Sequence, residues 1–326
     1  MSPALSSLSD WWSLAAAPLP PVAVELAARR ISAAALEIRG GAPTIVAHAS
    51  EPLPEGALVA SLTAENLRDR AAVAGALGRV LDKVGRPRRI GLIVPDPVAR
   101  VSLVRFEQVP AETRDLDQLI RWQVRKSAPF PIESAQVSYL AGEHTSGGQE
   151  FVVSLARQDV IREYEGLCAS AGTQAGIVDI STFNVVNAVL ASGPVPAGDW
   201  LLVNVAADYA SMAILRGPHL IFLRTRGADA EETLADLVHQ SAMYYADRLG
   251  GTGFGRVLLS GASTAGERHA AEVDAIRRML DQRVGVSVET VDARAGAALT
   301  DRISASPALL DTLAPLVGLL LRGQAA

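Results

Sequence analysis

Five histidines, one cysteine and 35 acidic residues are the groups with which this chain of 326 residues would do metal, nucleophilic or acid–base chemistry. His48, His144, His219, His239 and His269 stand far apart, and none has the H-x3-H type of spacing that turns two imidazoles toward one metal ion. No metal site is predicted, and the histidines read as packing or surface residues. Cys168 has no second cysteine to pair with. It falls among Val160, Ile161, Tyr164 and Leu167 at helical spacing, the setting of a small buried hydrophobe in a reducing compartment. Gly250-Gly251-Thr252-Gly253-Phe254-Gly255 lacks the G-x-G-x-x-G spacing and lies after a helical pattern and before a strand, the reverse of the order that phosphate binding requires. It reads as a connector. Gly261-Ala262-Ser263-Thr264-Ala265-Gly266 lacks the second glycine of a nucleophile elbow, and no Walker A sequence is present. No residue is therefore assigned a catalytic role.

The elements that would position a site show an internal duplication. Three short strands are predicted at Val22–Leu26, Ala33–Ile38 and Thr44–Ala47, and three more about 180 residues later at Leu201–Val205, Ser211–Leu215 and Leu220–Arg224. Val24-Glu25-Leu26-Ala27-Ala28 aligns with Val203-Asn204-Val205-Ala206-Ala207. A helix follows each meander. The first carries Leu67, Ala71, Ala74, Leu77, Leu81 and Val84 at a spacing of three to four and stops at Gly85. The second opens on Asp229 and Glu232 as a capping pair and buries Leu234, Leu237, Val238, Ser241 and Tyr245. A strand at Val257–Leu259 comes next. Between the two copies, residues 86–155 read as an inserted α+β unit. It has strands at Arg89–Val94, Val101–Phe106, Val137–Leu140 and Phe151–Leu155, and an amphipathic helix at Glu112–Ser127 bearing Leu116, Leu119, Ile120 and Val124.

Composition narrows the class. Hydrophobic residues make up 49% and charged residues 20%, as in a globular chain. A net charge of -5 argues against a nucleic-acid partner. No apolar run reaches the ~18 residues that span a bilayer, and no Lys or Arg precedes Arg29, so a cytoplasmic location is expected. Residues 1–21 read as a tail. Its Trp11 and Trp12 either fold back over an apolar patch or dip into a membrane interface or partner groove.

Several stretches, in order, resemble the type IV pilus assembly PilM family. They are Ile120-Arg121-Trp122-Gln123 running into Ala128-Pro129-Phe130-Pro131-Ile132-Glu133; Val178-Asp179-Ile180 ahead of Asn187-Ala188; Phe222-Leu223-Arg224 followed by Tyr244-Tyr245; Leu258-Leu259-Ser260-Gly261; and Val317-Gly318-Leu319-Leu320-Leu321-Arg322. The cytoplasmic part of the type II secretion protein GspL is similar. The resemblance implies an α/β, actin-like (ribonuclease H-like) two-lobed fold with a duplicated β-meander and a small inserted α+β module. Residues 22–85 and 156–199 would form the first lobe, 86–155 the module, 200–306 the second lobe and 307–326 a C-terminal helix. The implied role is a cytoplasmic adaptor at the inner face of the inner membrane. It would bind the N-terminal tail of a bitopic PilN-like protein and connect that complex to the pilus motor. The basic end of the module helix, with Arg121, Trp122, Arg125 and Phe130, is the candidate wall of the tail site.

Actin-like ATPases cradle ATP and Mg²⁺ with three loops, and the chain departs from the pattern at each. The first reads Glu25-Leu26-Ala27 where Asp-x-Gly is expected, the second Asn204-Val205-Ala206, and the third Gly261-Ala262 for a glycine pair. A lost charged hydrogen bond costs roughly 1.5–3 kcal/mol, and an alanine forced to a left-handed backbone roughly 1–2 kcal/mol. Such losses sum to about 5–8 kcal/mol, against the ~8 kcal/mol that holds a micromolar ligand. The expectation is a degenerate nucleotide site, no cofactor and no ATPase activity. The alternative is an ATP-binding switch in which Glu25 replaces the aspartate.

Overall fold

A computed structural model describes residues 19–227, 230–231, 233–265, 271–275, 277–278, 280 and 286–322. Trp11, Trp12, Asp229, Glu232 and His269 lie outside the described residues.

The chain opens with the predicted meander, β1 (Val22–Ala27), β2 (Arg30–Arg39) and β3 (Ala42–Pro52), all antiparallel. Helix α1 (Arg70–Lys83) starts at Asp69, whose side chain accepts from the Ala72 N–H at 2.9 Å, so Leu67 precedes the helix. The buried stripe is Val73, Ala76, Leu77, Val80 and Leu81, with Ala71 exposed. β4 (Arg89–Val94) then pairs parallel with β1. Its sequence, Arg-Ile-Gly-Leu-Ile-Val, has no polar face, which suits a strand covered on both sides. β4 therefore belongs to the first lobe's sheet, and the inserted module starts after it and not at residue 86.

The module comprises β5 (Ala99–Phe106), helix α2 (Thr113–Val124), β6 (Ala135–Thr145) and β7 (Gly148–Arg157), with strand order β5-β7-β6. Ile120 and Val124 of α2 pack on Val137, Phe151, Val153 and Leu155, a separate small core. The chain re-enters the first lobe through α3 (Gln158–Ser170) and β8 (Gln174–Ile180), which extends the sheet beside β4. Helix α4 (Ser181–Ala191) follows directly.

The second lobe repeats the plan. β9 (Asp199–Val205), β10 (Tyr209–Arg216) and β11 (His219–Gly227) form the meander. Helix α5 (Leu234–Arg248) buries the five predicted residues Leu234, Leu237, Val238, Ser241 and Tyr245. Its cap is a reciprocal Thr233–Asp236 box. β12 (Arg256–Ser260) lies parallel to β9, and β13 (Val288–Thr290) parallel to β12. From there the chain returns to the first lobe, before residue 306: β14 (Ala298–Leu299) pairs with β3, and helix α6 (Pro307–Leu320) packs on β1, β2 and β4.

Alternation along β1 explains the layering. Val22, Val24 and Leu26 face α1 and α3, whereas Ala23 faces α6. In β9, Leu201 and Val203 face α5, whereas Trp200 and Leu202 face α4. Helices α4 and α6 thus fill the space between the two sheets. They cross in contact at Gly318, where an added Cβ would lie 1.6 Å from the Asn184 carbonyl oxygen. The cleft opens where β1, β9 and β12 end above this crossing.

Candidate functional site

The duplication brings the three predicted loops together. Glu25 and Ala27 end β1, Asn204 and Ala206 end β9, and Gly261 follows β12; all five line one cleft. The parallel β9–β12 pairing sets Asn204 opposite Ser260, and the β1 hairpin sets Ala27 opposite Arg30.

Glu25 is buried. It accepts from the Arg30 guanidinium at 3.3 Å and from the Ser181 hydroxyl, at the start of α4, at 3.1 Å. Burial pushes its carboxyl above the usual carboxylate range, and Arg30 and Ser181 partly restrain it. Asp96, in the turn after β4, is buried too. It takes the Thr182 N–H at 2.9 Å, the Thr182 hydroxyl, and the Ser211 hydroxyl from β10 at 2.5 Å. Burial likewise raises its pKa, with the Ser211 and Thr182 hydrogen bonds opposing. The Asn204 side-chain amide donates to the Thr182 hydroxyl at 2.9 Å. Asp311 of α6 accepts from the Gly261 N–H at 3.0 Å and the Ser263 N–H at 2.7 Å.

Asp96, Ser181, Thr182, Arg30 and Asp311 were not singled out in the sequence. For two of them a signal exists. Asp311 interrupts the apolar run Leu309-Leu310-Asp311-Thr312-Leu313, and Asp96 is set between two prolines after a buried strand.

The expected alanine strain is absent. Arg86 is the one described non-glycine residue with positive φ, so Ala27 and Ala206 rest in ordinary backbone. The loops have adopted other turns, which a Cβ tolerates, and the estimated penalty for left-handed alanines drops out. Gly261 does require glycine: its φ is +78° and a Cβ would meet the Val205 carbonyl oxygen at 2.0 Å. The free volume of the cleft is about 30 Å³, against roughly 300–1,000 Å³ for small-molecule pockets. Among the described residues, no group of three or more His, Cys, Asp or Glu is placed to hold a metal ion.

The other four candidates sit on the module. Trp122 is 67% exposed and Arg125 is exposed, whereas Arg121 pairs with Asp117 at 2.8 Å and Phe130 packs partly into the module core. They do not line the groove that lies between the module, α4 and the second lobe's β10–β11 hairpin. That groove has a free volume of about 160 Å³. Its walls are Leu140 and Val152 from the module, Phe183, Val186 and Leu190 from α4, and Leu220 from β11. The Asp179–Arg322 ion pair, 2.9 Å, lies at one side. Leu140 is 62% exposed at the rim. No described helix is long and apolar enough to cross a membrane.

A search of curated proteins finds no relative by sequence. Among solved structures, a PilM-PilN type IV pilus biogenesis complex matches with a TM-score of 0.73 at 19% identity, covering 94% of this chain and 98% of that one. A Bacteroides thetaiotaomicron protein of actin-like ATPase fold and unknown function matches with a TM-score of 0.51 at 9% identity, covering 90% and 94%. The cytoplasmic domain of EpsL, an inner-membrane component of the Vibrio cholerae type II secretion system, has a TM-score of 0.48 at 13% identity, covering 94% and 99%. The first two place the two-lobed architecture in the actin-like fold. The model of one family, described as type IV pilus assembly protein PilM, matches residues 23–245, more than half of the chain and the whole run from the first meander through the module to α5. With both meanders, the module between them and the cleft loops in that order, the chain belongs to the type IV pilus assembly protein PilM family.

Proposed function

We propose that this chain is a cytoplasmic adaptor of a type IV pilus assembly complex, that it captures the N-terminal tail of a PilN-like inner-membrane protein, and that it does so without nucleotide. The observation that carries this reading is the contrast between its two concave sites. The cleft where an actin-like protein would hold ATP is filled by the Glu25–Arg30 ion pair and by hydrogen bonds between the chain's own groups, with about 30 Å³ free. The groove beside the module is more open, about 160 Å³, and mainly apolar. It is bounded by β6, an edge strand, which offers main-chain groups to an extended peptide while Leu140, Phe183 and Leu190 take its apolar side chains.

Trp122 and Arg125 remain a second contact surface, outside the groove. Exposed Trp beside Arg is the composition of an interface hot spot.

Calorimetric titration of a synthetic PilN-type tail separates the two surfaces. Leu140→Asp, at an exposed rim position, is expected to weaken capture at least tenfold, about 1.4 kcal/mol, with an unchanged melting temperature. Trp122→Ala with Arg125→Ala is expected to weaken capture by a full-length partner more than capture of the tail alone. Unchanged tail affinity in Leu140→Asp removes the groove as the seat.

A further inference from the structure

The loop after β12 presents two backbone N–H groups, those of Gly261 and Ser263, toward a single carboxylate. Gly261 is at φ +78°, so the backbone curves around the acceptor, the arrangement of an anion-binding nest. The acceptor is Asp311, 2% exposed, from helix α6 of the opposite lobe. Among the described residues no cation pairs with it. A buried carboxylate without a cation depends on such donors, since leaving it unsolvated is costly.

A second set of lobe-to-lobe bonds runs in the same sense. Asp96 of the first lobe takes the Ser211 hydroxyl of the second, and Asn204 of the second reaches Thr182 of the first. Carboxylates from the first lobe thus meet donors from the second at two separate points around the cleft.

We infer that the Gly261–Ser263 loop is a backbone anion nest whose ligand is the chain's own Asp311, and that this internal carboxylate latches the two lobes across the cleft in place of a bound phosphate. It deepens the adaptor reading by naming what holds the cleft shut. Its test reads local amide exchange, which tail capture does not, so the two readings fail separately. The Asp96–Ser211 bond ties β10 to the first lobe, and β11, paired with β10, carries Leu220 of the groove wall.

Hydrogen–deuterium exchange on segments 256–265 and 199–205 tests it, with inorganic phosphate as probe. In the unsubstituted protein the 261–263 amides are expected to be protected, and phosphate to leave them unchanged. In Asp311→Ala they are expected to exchange at least 100-fold faster while segment 199–205 keeps its protection, and millimolar phosphate is expected to slow them again. Asp311→Asn preserves the side-chain shape and one acceptor oxygen, so it serves if the alanine variant does not fold; its 261–263 amides should exchange at an intermediate rate. Protection unchanged in both variants overturns the latch. So does a loss spread evenly over both segments, as a merely structural role would give, or a phosphate effect already present in the unsubstituted protein.

Discussion

Single side chains carry two consequences that solution measurements can read. Cys168 is fully buried against Val160, Tyr164 and Leu167, and burial pushes its thiol up to about 12. The thiolate is the reactive form, so the native protein is expected to leave an aromatic disulfide reagent unreduced at neutral pH and to release one equivalent of thiol only after unfolding. Prompt reaction in the native state would show a more open α3 than the one described. Asp208, in the turn between β9 and β10, is raised from 3.8 to about 6, first by burial, then by the Asp96 charge, with Arg29 opposing. A carboxyl whose folded pKa is raised costs stability where it is ionised in the native state, and the cost is relieved as pH falls through the folded value. Between pH 7 and pH 5 the melting temperature should therefore rise more in the unsubstituted protein than in Asp208→Asn. Glu25, Asp96 and Asp179 are shifted the same way by burial and stay in both proteins, so the difference reads Asp208 together with its coupling to Asp96.

At the scale of elements, the crossing of α4 and α6 is the least tolerant contact. Gly318→Ala places a Cβ 1.6 Å from the Asn184 carbonyl oxygen, a backbone atom that cannot rotate away. The helices must separate, and because they lie between both sheets the loss is expected to exceed the roughly 1–3 kcal/mol of ordinary overpacking. Denaturant titration reads it, and a midpoint within error of the unsubstituted protein would contradict the packing described. Elements were the most legible part of the sequence. Each meander came from short apolar runs, with Gly40-Gly41 and Gly217-Pro218 at turns, and the five buried residues of α5 came from their helical spacing. Two assignments needed the tertiary structure. β4 is as apolar as any core strand, and nothing local distinguishes a strand of the first sheet from one of the module next to it. α1 begins later and faces differently than its alanines suggested, because Ala fits either side of a helix and only the Asp69 cap fixes the start. The cleft was legible through the duplication, which aligned Glu25 with Asn204. The buried partners Asp96 and Asp311 were not, because each acts through donors more than 45 residues away.

For the whole molecule, the features support the proposed adaptor reading. Two actin-like lobes meet over α4 and α6, the cleft between them is lined by the Glu25–Arg30 pair and bridged by Asp96–Ser211 and Asp311–Gly261, and the neighbouring groove is apolar. A switch would need the cleft to open and close on a ligand with different affinity for the two states, whereas these bonds close it without one. Glu25→Ala removes the ion pair with Arg30 that lines the cleft and a buried carboxyl whose pKa burial has raised. It is expected to leave tail capture unchanged.

The most direct test of an adaptor that works without nucleotide is calorimetry of the tail peptide with and without millimolar Mg-ATP. The account predicts the same affinity in both titrations and no heat from Mg-ATP alone. Micromolar Mg-ATP binding, or tail capture that changes tenfold when ATP is present, would contradict it and make the cleft a functioning nucleotide switch.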